Sequence, residues 1–255
     1  MGPVHQHRDL LRARRLIASH EGGPGGPDPG PPAYRQYCPV ALTAEILARP
    51  WTPLVVRELL LGSVRFNDIH RGVSRMSRTL LSTRLDELRE AGILERRSVG
   101  GHPEYHLTEA GRELRPVIMG MGEWGKRWLR HELEGSRLDV THLMWDVRRG
   151  VVEEALPADR VVVRFRLEDA PEERRRFWLV LERGAVDLCL EDPGYDVDLR
   201  VRTDAATLAD VWLGDTELRW AMTEGAVRVR GPRELRRRFP DWLGLSPLAE
   251  VEGPE

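Results

Sequence analysis

The stretch from Ser77 to Leu107 restricts the fold more than any other part of this chain. Ser77 is a side chain that caps a helix N-terminus by accepting an orphan backbone N–H, and Gly92 suits the left-handed residue that follows a helix. Between them Leu81, Leu85 and Leu88, spaced by four and three, predict one apolar face on a helix. Ile93 to Val99, a Gly100-Gly101 turn with His102 and Pro103, and Glu104 to Leu107 then read as a two-stranded hairpin. A leucine-faced helix must bury that face, and the upstream sequence supplies partners. Helical patterns run over Val40 to Leu47, Thr52 to Leu61 and Phe66 to Gly72, broken at Arg49, Pro50 and Trp51 and again at Gly62. Val73 to Met76 reads as the turn into the Ser77 helix. Thr108 caps a further helix that extends to about Leu133 and is expected to bend or restart near Pro116, where an N–H is missing.

Helices, hairpin and a further helix in that order predict a winged helix-turn-helix. The face of the Ser77 helix opposite its leucines carries Thr79, Ser82, Thr83 and Asp86, flanked by Arg78. Its first turns are basic or hydroxylic, whereas Asp86, Glu87 and Glu90 make the far end repulsive to phosphate. A recognition helix presents its opening turns to base edges. Arg78, Thr79, Ser82 and Thr83 are therefore the expected major-groove residues, with Ser77 at the cap. Arg84 and the helix N-terminus are expected to hold phosphates, and Arg96, Arg97 and His102 to form the contacting wing. Charge agrees with this placement: residues 33 to 134 hold 16 basic against 13 acidic residues, a net of +3, while residues 135 to 255 hold 19 against 25, a net of −6. The excess is a weak signal by itself, since all basic residues but Lys126 are arginine and so reflect a global bias.

Val117, Met121, Trp124 and Trp128 step by four, three and four along the last helix, with Ile118 and Leu129 as a second stripe. Such a width exceeds what one small domain covers, so the helix from Val117 to Leu133 is the expected homodimer interface, ahead of a role in its own core. Gly120, Gly122 and Gly125 leave room for another backbone.

The pattern changes after Gly135. A helix from Thr141 to Arg149 leads into apolar alternation at Val161 to Leu167, Phe177 to Leu181, Val186 to Leu190 and Val197 to Val201. Arg164, Arg166, Asp187, Asp198, Arg200 and Arg202 fill intervening positions, so one sheet face is apolar and the other wet. Turn residues at Glu168 to Pro171, Arg183-Gly184 and Asp192 to Gly194 predict reversals and hence antiparallel neighbours in an antiparallel or mixed sheet. Ala205 to Leu213 and Thr216 to Met222 read as helices, Ala226 to Arg230 as a strand, and Glu234 to Phe239 as a last helix. The fold class is thus α+β: residues 1–32 a disordered tail and Gly/Pro linker, 33–134 a winged-helix DNA-binding and dimerisation domain, and 137–250 a second α+β domain.

Cys38-Pro39-Val40, WTPLVVRELLL from Trp51, Arg65 to Ile69, MSRTLLSTRLDEL from Met76, Ala91 to Leu94, Tyr105 to Thr108 with Gly111, and Glu123 to Gly125 together resemble the HxlR-type winged-helix regulators. The resemblance implies a homodimer on a pseudo-palindromic double-stranded DNA operator, with the Ser77 helix in the major groove and the wing at the minor groove or backbone. In some relatives a cysteine at the place of Cys38 senses oxidants or electrophiles, which makes Cys38 the candidate redox residue. The second domain, with Gly214-Asp215 between two helices and the segment Gly225 to Val229, resembles the sterol-carrier type of lipid-binding fold. That resemblance implies a hydrophobic small-molecule effector, for which Trp212, Trp220, Phe239 and Trp242 are the candidate lining residues; aromatics at helical spacing are more often plain core. The function expected is sequence-specific transcription regulation controlled by such an effector. The alternative is a ligand-independent regulator whose second domain is a dimerisation or protein-interaction module.

Scattered histidines, no Gly-rich phosphate loop, no H-E-x-x-H and no nucleophile motif argue against an enzyme. His5 and His7 form no metal site, no cofactor is expected, and two distant cysteines make no disulfide framework. Without a secretion signal or an apolar run of spanning length, the expected location is the cytoplasm, away from membranes.

Overall fold

A computed structural model describes residues 34, 36–129 and 138–252. The tail and linker, His5, His7 and the last helix's expected end at Leu133 lie outside the described residues. The chain divides into two compact units, Met1–Gly120 and Met121–Glu255.

The first unit opens with α1 (Pro39–Leu47), α2 (Thr52–Leu60), α3 (Phe66–Gly72) and α4 (Arg78–Glu90), followed by strands β1 (Leu94–Val99) and β2 (His102–Leu107). Ser77 caps α4 by accepting from the Leu80 amide at 3.2 Å, and Gly92 takes φ of 74° just beyond its end, so both expected boundaries hold. Leu81, Leu85 and Leu88 are at most 1% exposed and pack with Val55, Val56, Ile69 and Leu94. At about 1.5–3 kcal/mol for each fully buried leucine, this face fixes how α4 lies on α2 and α3. Trp51 precedes α2 with φ of 74°, the one described non-glycine residue in the left-handed region. Thr108 caps α5 (Glu109–Glu113) by accepting from the Gly111 amide, and the chain restarts at Leu114 as α6 (Arg115–Leu129) with Pro116 in its first turn, where a missing N–H costs nothing.

In the second unit α7 (Val140–Arg149), capped by Asp139, leads into β3 (Val161–Leu167), β4 (Arg176–Glu182), β5 (Ala185–Cys189) and β6 (Leu199–Thr203). Helices α8 (Ala205–Trp212) and α9 (Leu218–Thr223), strand β7 (Arg228–Arg230) and helix α10 (Arg233–Trp242) complete it. The sheet order is β5-β4-β3-β6-β7. The hairpins implied by the turns at Glu168 and Gly184 are present, but the turn at Asp192 does not return β6 against β5. The chain instead passes to the far side of β3 and pairs with it in parallel, so the sheet is mixed. Asp198 pins this crossing: its amide donates to the Val162 carbonyl and its carboxylate accepts from the Val162 amide at 2.8 Å. Phe165, Leu179, Leu181, Leu199 and Val201 from the sheet meet Met144, Leu208, Phe239 and Trp242 from the helices in one core. Helix α10 outruns its expected end at Phe239 and continues through Pro240, because Trp242 buries on the same face one turn later.

Candidate nucleic-acid interface

Ser77, Arg78, Thr79, Ser82 and Thr83 are all exposed along the opening turns of α4, facing away from its buried leucines. Ser77 and Thr83 already use their hydroxyls, Ser77 as an acceptor in the cap and Thr83 as a donor to the Thr79 carbonyl at 3.1 Å. Each keeps one further hydrogen-bonding role. Arg78 is held more firmly than the sequence suggested. Its Nη2 donates to Asn67 Oδ1 at 2.7 Å, and its guanidinium lies 5.0 Å from the centroid of the Phe66 ring, which stacks in turn on His70. One of five N–H donors is engaged, so the cation is aimed by α3 while four donors stay available. The pattern of Phe66 to Gly72 predicts a helix but not its role in positioning Arg78, which depends on a contact eleven residues apart that no local pattern reveals.

Arg84 departs from expectation. Its side chain is 14% exposed, pairs with Glu87, and donates through Nε to the Pro50 carbonyl at 3.3 Å; Glu87 also binds Arg49 at 3.1 Å. Placed directly after Thr83, Arg84 braces α4 to the turn between α1 and α2 rather than presenting its charge outward.

The hairpin is anchored to the helices by a short third strand. Val64 accepts from the Tyr105 amide at 2.8 Å and Arg65 bridges Glu104, so β2 is fixed to the residue that opens α3. Gly100 and Gly101 take φ of 59° and 80°, the signs a two-residue hairpin turn demands, and register Val99 against His102. Pairing of Arg96 with Tyr105 and of Arg97 with Glu104 puts the two arginines on opposite faces. Arg97 and His102 share one face, where Arg97 pairs with Glu95. Arg96 is exposed on the other, with no ion pair among the described residues. The wing therefore offers Arg96 and Arg97 from opposite faces.

Cys38 sits half-buried at the cap of α1 as a free thiol, without a hydrogen-bonding partner for its sulfur among the described residues. The four aromatics expected to line a ligand site do not form one wall: Phe239 and Trp242 are completely buried against each other and Phe165, Trp212 is half-buried over Gly150, and Trp220 is 57% exposed. Among the described residues no group of His, Cys, Asp or Glu could hold a metal ion, and no helix is long and apolar enough to cross a membrane.

A helix pair at α3 and α4, an anchored two-stranded wing and an exposed basic opening on α4 define a winged helix-turn-helix of the DNA-binding class. The HxlR-like helix-turn-helix family matches residues 46–133. Two Bacillus subtilis proteins described as uncharacterized HTH-type transcriptional regulators are similar: YdeP, 34% identical over 36% of this chain and 73% of its own length, and YvaP, 34% identical over 37% and 91%. The solved structure of the reduced transcriptional regulator YodB from B. subtilis is 30% identical over 36% of this chain and 95% of its own, with a TM-score of 0.33. This chain belongs to the HxlR-type helix-turn-helix transcriptional regulators, a family of DNA-binding proteins and not of enzymes.

Proposed function

We propose that the chain is a cytoplasmic, homodimeric regulator that reads an operator with Arg78, Thr79, Ser82 and Thr83 in the major groove. The observation that carries this reading is the fixing of Arg78 by Asn67 and Phe66 at the start of α4, beside three exposed hydroxyls. A guanidinium aimed before binding loses less side-chain entropy on meeting a base edge, and a bidentate arginine contact discriminates between bases by about 1–3 kcal/mol. Phosphates are held by the α4 N-terminus and the wing, chiefly Arg96, with Arg97 and His102 on the wing's other face. Arg84 contributes to the scaffold.

Dimerisation is supported by α6, where Val117, Met121, Trp124 and Trp128 are 44 to 58% exposed on one stripe. Two half-exposed tryptophans on a single stripe are what a symmetric partner helix would cover. For the second unit, burial of Phe239 and Trp242 in a continuous core favours an interaction module over a sterol-carrier-like sensor of a hydrophobic effector. Saturable binding of an apolar dye to the full chain, with a matching shift in operator affinity, would reverse that preference.

Selection of bound fragments from random duplex DNA by the full chain at stated salt tests the central reading. A two-fold-related consensus is expected, with preference at one base pair per half-site relaxed by Arg78→Ala. Enrichment of no sequence would overturn it.

A further inference from the structure

The face of the five-stranded sheet turned away from the core carries seven arginines in two cross-strand rows. Strand registers place Arg230 beside Arg200 and Arg200 beside Arg164 in one row. The second row runs Arg228, Arg202, Arg166 and Arg176. Neighbouring strands lie about 4.8 Å apart and alternate residues along a strand about 6.7 Å apart, so these guanidiniums form a two-dimensional lattice of like charge. Directly opposed like charges destabilise a sheet. Ion pairs occur only at the rim among the described residues, where Arg228 meets Glu168 at 3.4 Å and Arg176 meets Glu172 at 2.7 Å. Arg164, Arg166, Arg200, Arg202 and Arg230 have no ion pair among the described residues, and the last three are exposed. Partial burial, and then the charges of Arg200, Arg176 and Arg202, hold the Arg164 guanidinium below its ordinary range, against the opposing pull of Asp192.

Compositional bias toward arginine does not account for this arrangement. Residues 135 to 255 are acidic on balance, 25 acids against 19 bases, yet no acid stands among the outward positions of β3, β6 and β7. The unfavourable self-energy of such a lattice is relieved by an anion that is itself extended and multiply charged. A single small anion would neutralise one or two members. Arginine's planar fork matches phosphate oxygens in two-bond geometry, and the first unit of the same chain brings duplex DNA to high local concentration.

We propose that this arginine face is a second DNA-binding surface, which holds the phosphate backbone of duplex DNA without reading its bases. The proposal rests on the DNA-binding reading of the first unit only for delivery of the duplex. It gives the second unit a direct part in operator affinity and salt response.

The test compares the full-length parent, the triple variant Arg200→Ser, Arg202→Ser, Arg230→Ser, and Arg78→Ala, titrating each with operator and with random-sequence duplex over a range of salt. Each phosphate contact contributes about 0.9 to the slope of log affinity against log salt, so loss of three shallows the slope by about 2.7 on both duplexes. The ratio of operator to random affinity stays at the parent value in the triple variant and falls in Arg78→Ala. The triple variant's melting temperature equals or exceeds the parent's, since opposed charges have been removed. Should it fail to fold, Arg230→Ser alone, on the edge strand, is expected to shallow the slope by about 0.9. An unchanged slope in a folded variant overturns the proposal, as does capture of the parent by phosphatidylserine vesicles while the DNA slope of the variant stays intact. Loss of slope in the triple variant together with an absence of operator preference in the parent would sink the reading of α4 and leave this proposal standing.

Discussion

Replacement of Lys126 by methionine removes one charge from a site built around it. The ammonium lies 2.6, 3.0 and 3.1 Å from the carbonyl oxygens of Leu213, Ala249 and Leu248 and 3.3 Å from Asp215 Oδ1, within the second unit. The side chain is 7% exposed, so water cannot substitute for it. Leu213 follows α8, and its carbonyl is one of the acceptors a helix C-terminus leaves open. Three charge-assisted hydrogen bonds at about 1.5–3 kcal/mol each are offset by the cost of desolvating the ammonium. Deleting one partner of a buried ionic cluster costs about 3–5 kcal/mol, which is the loss expected for Lys126→Met, whose side chain preserves the apolar stem. Lys126→Arg is the sharper probe. It restores the charge and adopts the residue used at every other basic position of the chain, but a planar fork cannot point three donors at a tripod of carbonyls. We expect a loss of about 1–3 kcal/mol from overpacking and misdirected donors. Urea unfolding of the full chain followed by tryptophan fluorescence and circular dichroism reads both variants. A loss below about 1 kcal/mol for Lys126→Met, set against that 3–5 kcal/mol, or an arginine variant as stable as the parent, would refute this account of the site.

Gly72→Ala should destabilise the first unit, because a Cβ there would lie 1.8 Å from Glu58 Oε2, a carboxylate with no exposure that is held by Arg57; overpacking of about 1–3 kcal/mol is expected in chemical denaturation, and an unchanged midpoint would contradict it. Phe66→Ala should weaken operator preference without touching a base, by freeing Arg78, and combining it with Arg78→Ala should add little in a double-mutant cycle; full additivity would show that the two act independently. Arg96→Ala should reduce the salt slope by about 0.9 and Arg97→Ala by less, since Glu95 already offsets Arg97. Cys38→Ser should bind operator like the parent with or without diamide, because Cys38 and Cys189 are both free and Cys38 makes no side-chain cap hydrogen bond; an oxidant response present in the parent and lost in the variant would assign the thiol a redox role.

Local chemistry carried the first unit a long way. Ser77 and Gly92 bound α4 through backbone requirements that act within a few residues, and the Gly100-Gly101 pair sets the hairpin for the same reason. Pro116 was legible as an interruption, and the restart at Leu114 puts it where its lost N–H does no harm. The exposed opening of α4 followed from periodicity, since a helix that buries three leucines must turn the intervening residues outward. Arg84 was not legible. Its position on the wheel suits phosphate, but its partners, the Pro50 carbonyl and Glu87, belong to a contact that only packing of α4 against the α1–α2 turn creates. The aromatic residues of the second unit misled in a related way: sequence spacing tells which residues share a helix face, and not whether that face closes on a core, as at Phe239 and Trp242, or meets solvent, as at Trp220.

The amino-acid order alone determined the helices, the hairpin, the core-facing side of the sheet strands and the residues offered by α4, because capping, turn chemistry and side-chain periodicity act over one or two turns of chain. Tertiary structure decided what depends on neighbours far apart in that order: the parallel pairing of β6 with β3, the platform of Phe66 and Asn67 under Arg78, the nest of carbonyls around Lys126 and the merging of arginines from four strands into one charged face. Strand order is set by which edge the chain reaches after leaving β5, and hydrogen bonds between distant residues have no counterpart in local spacing.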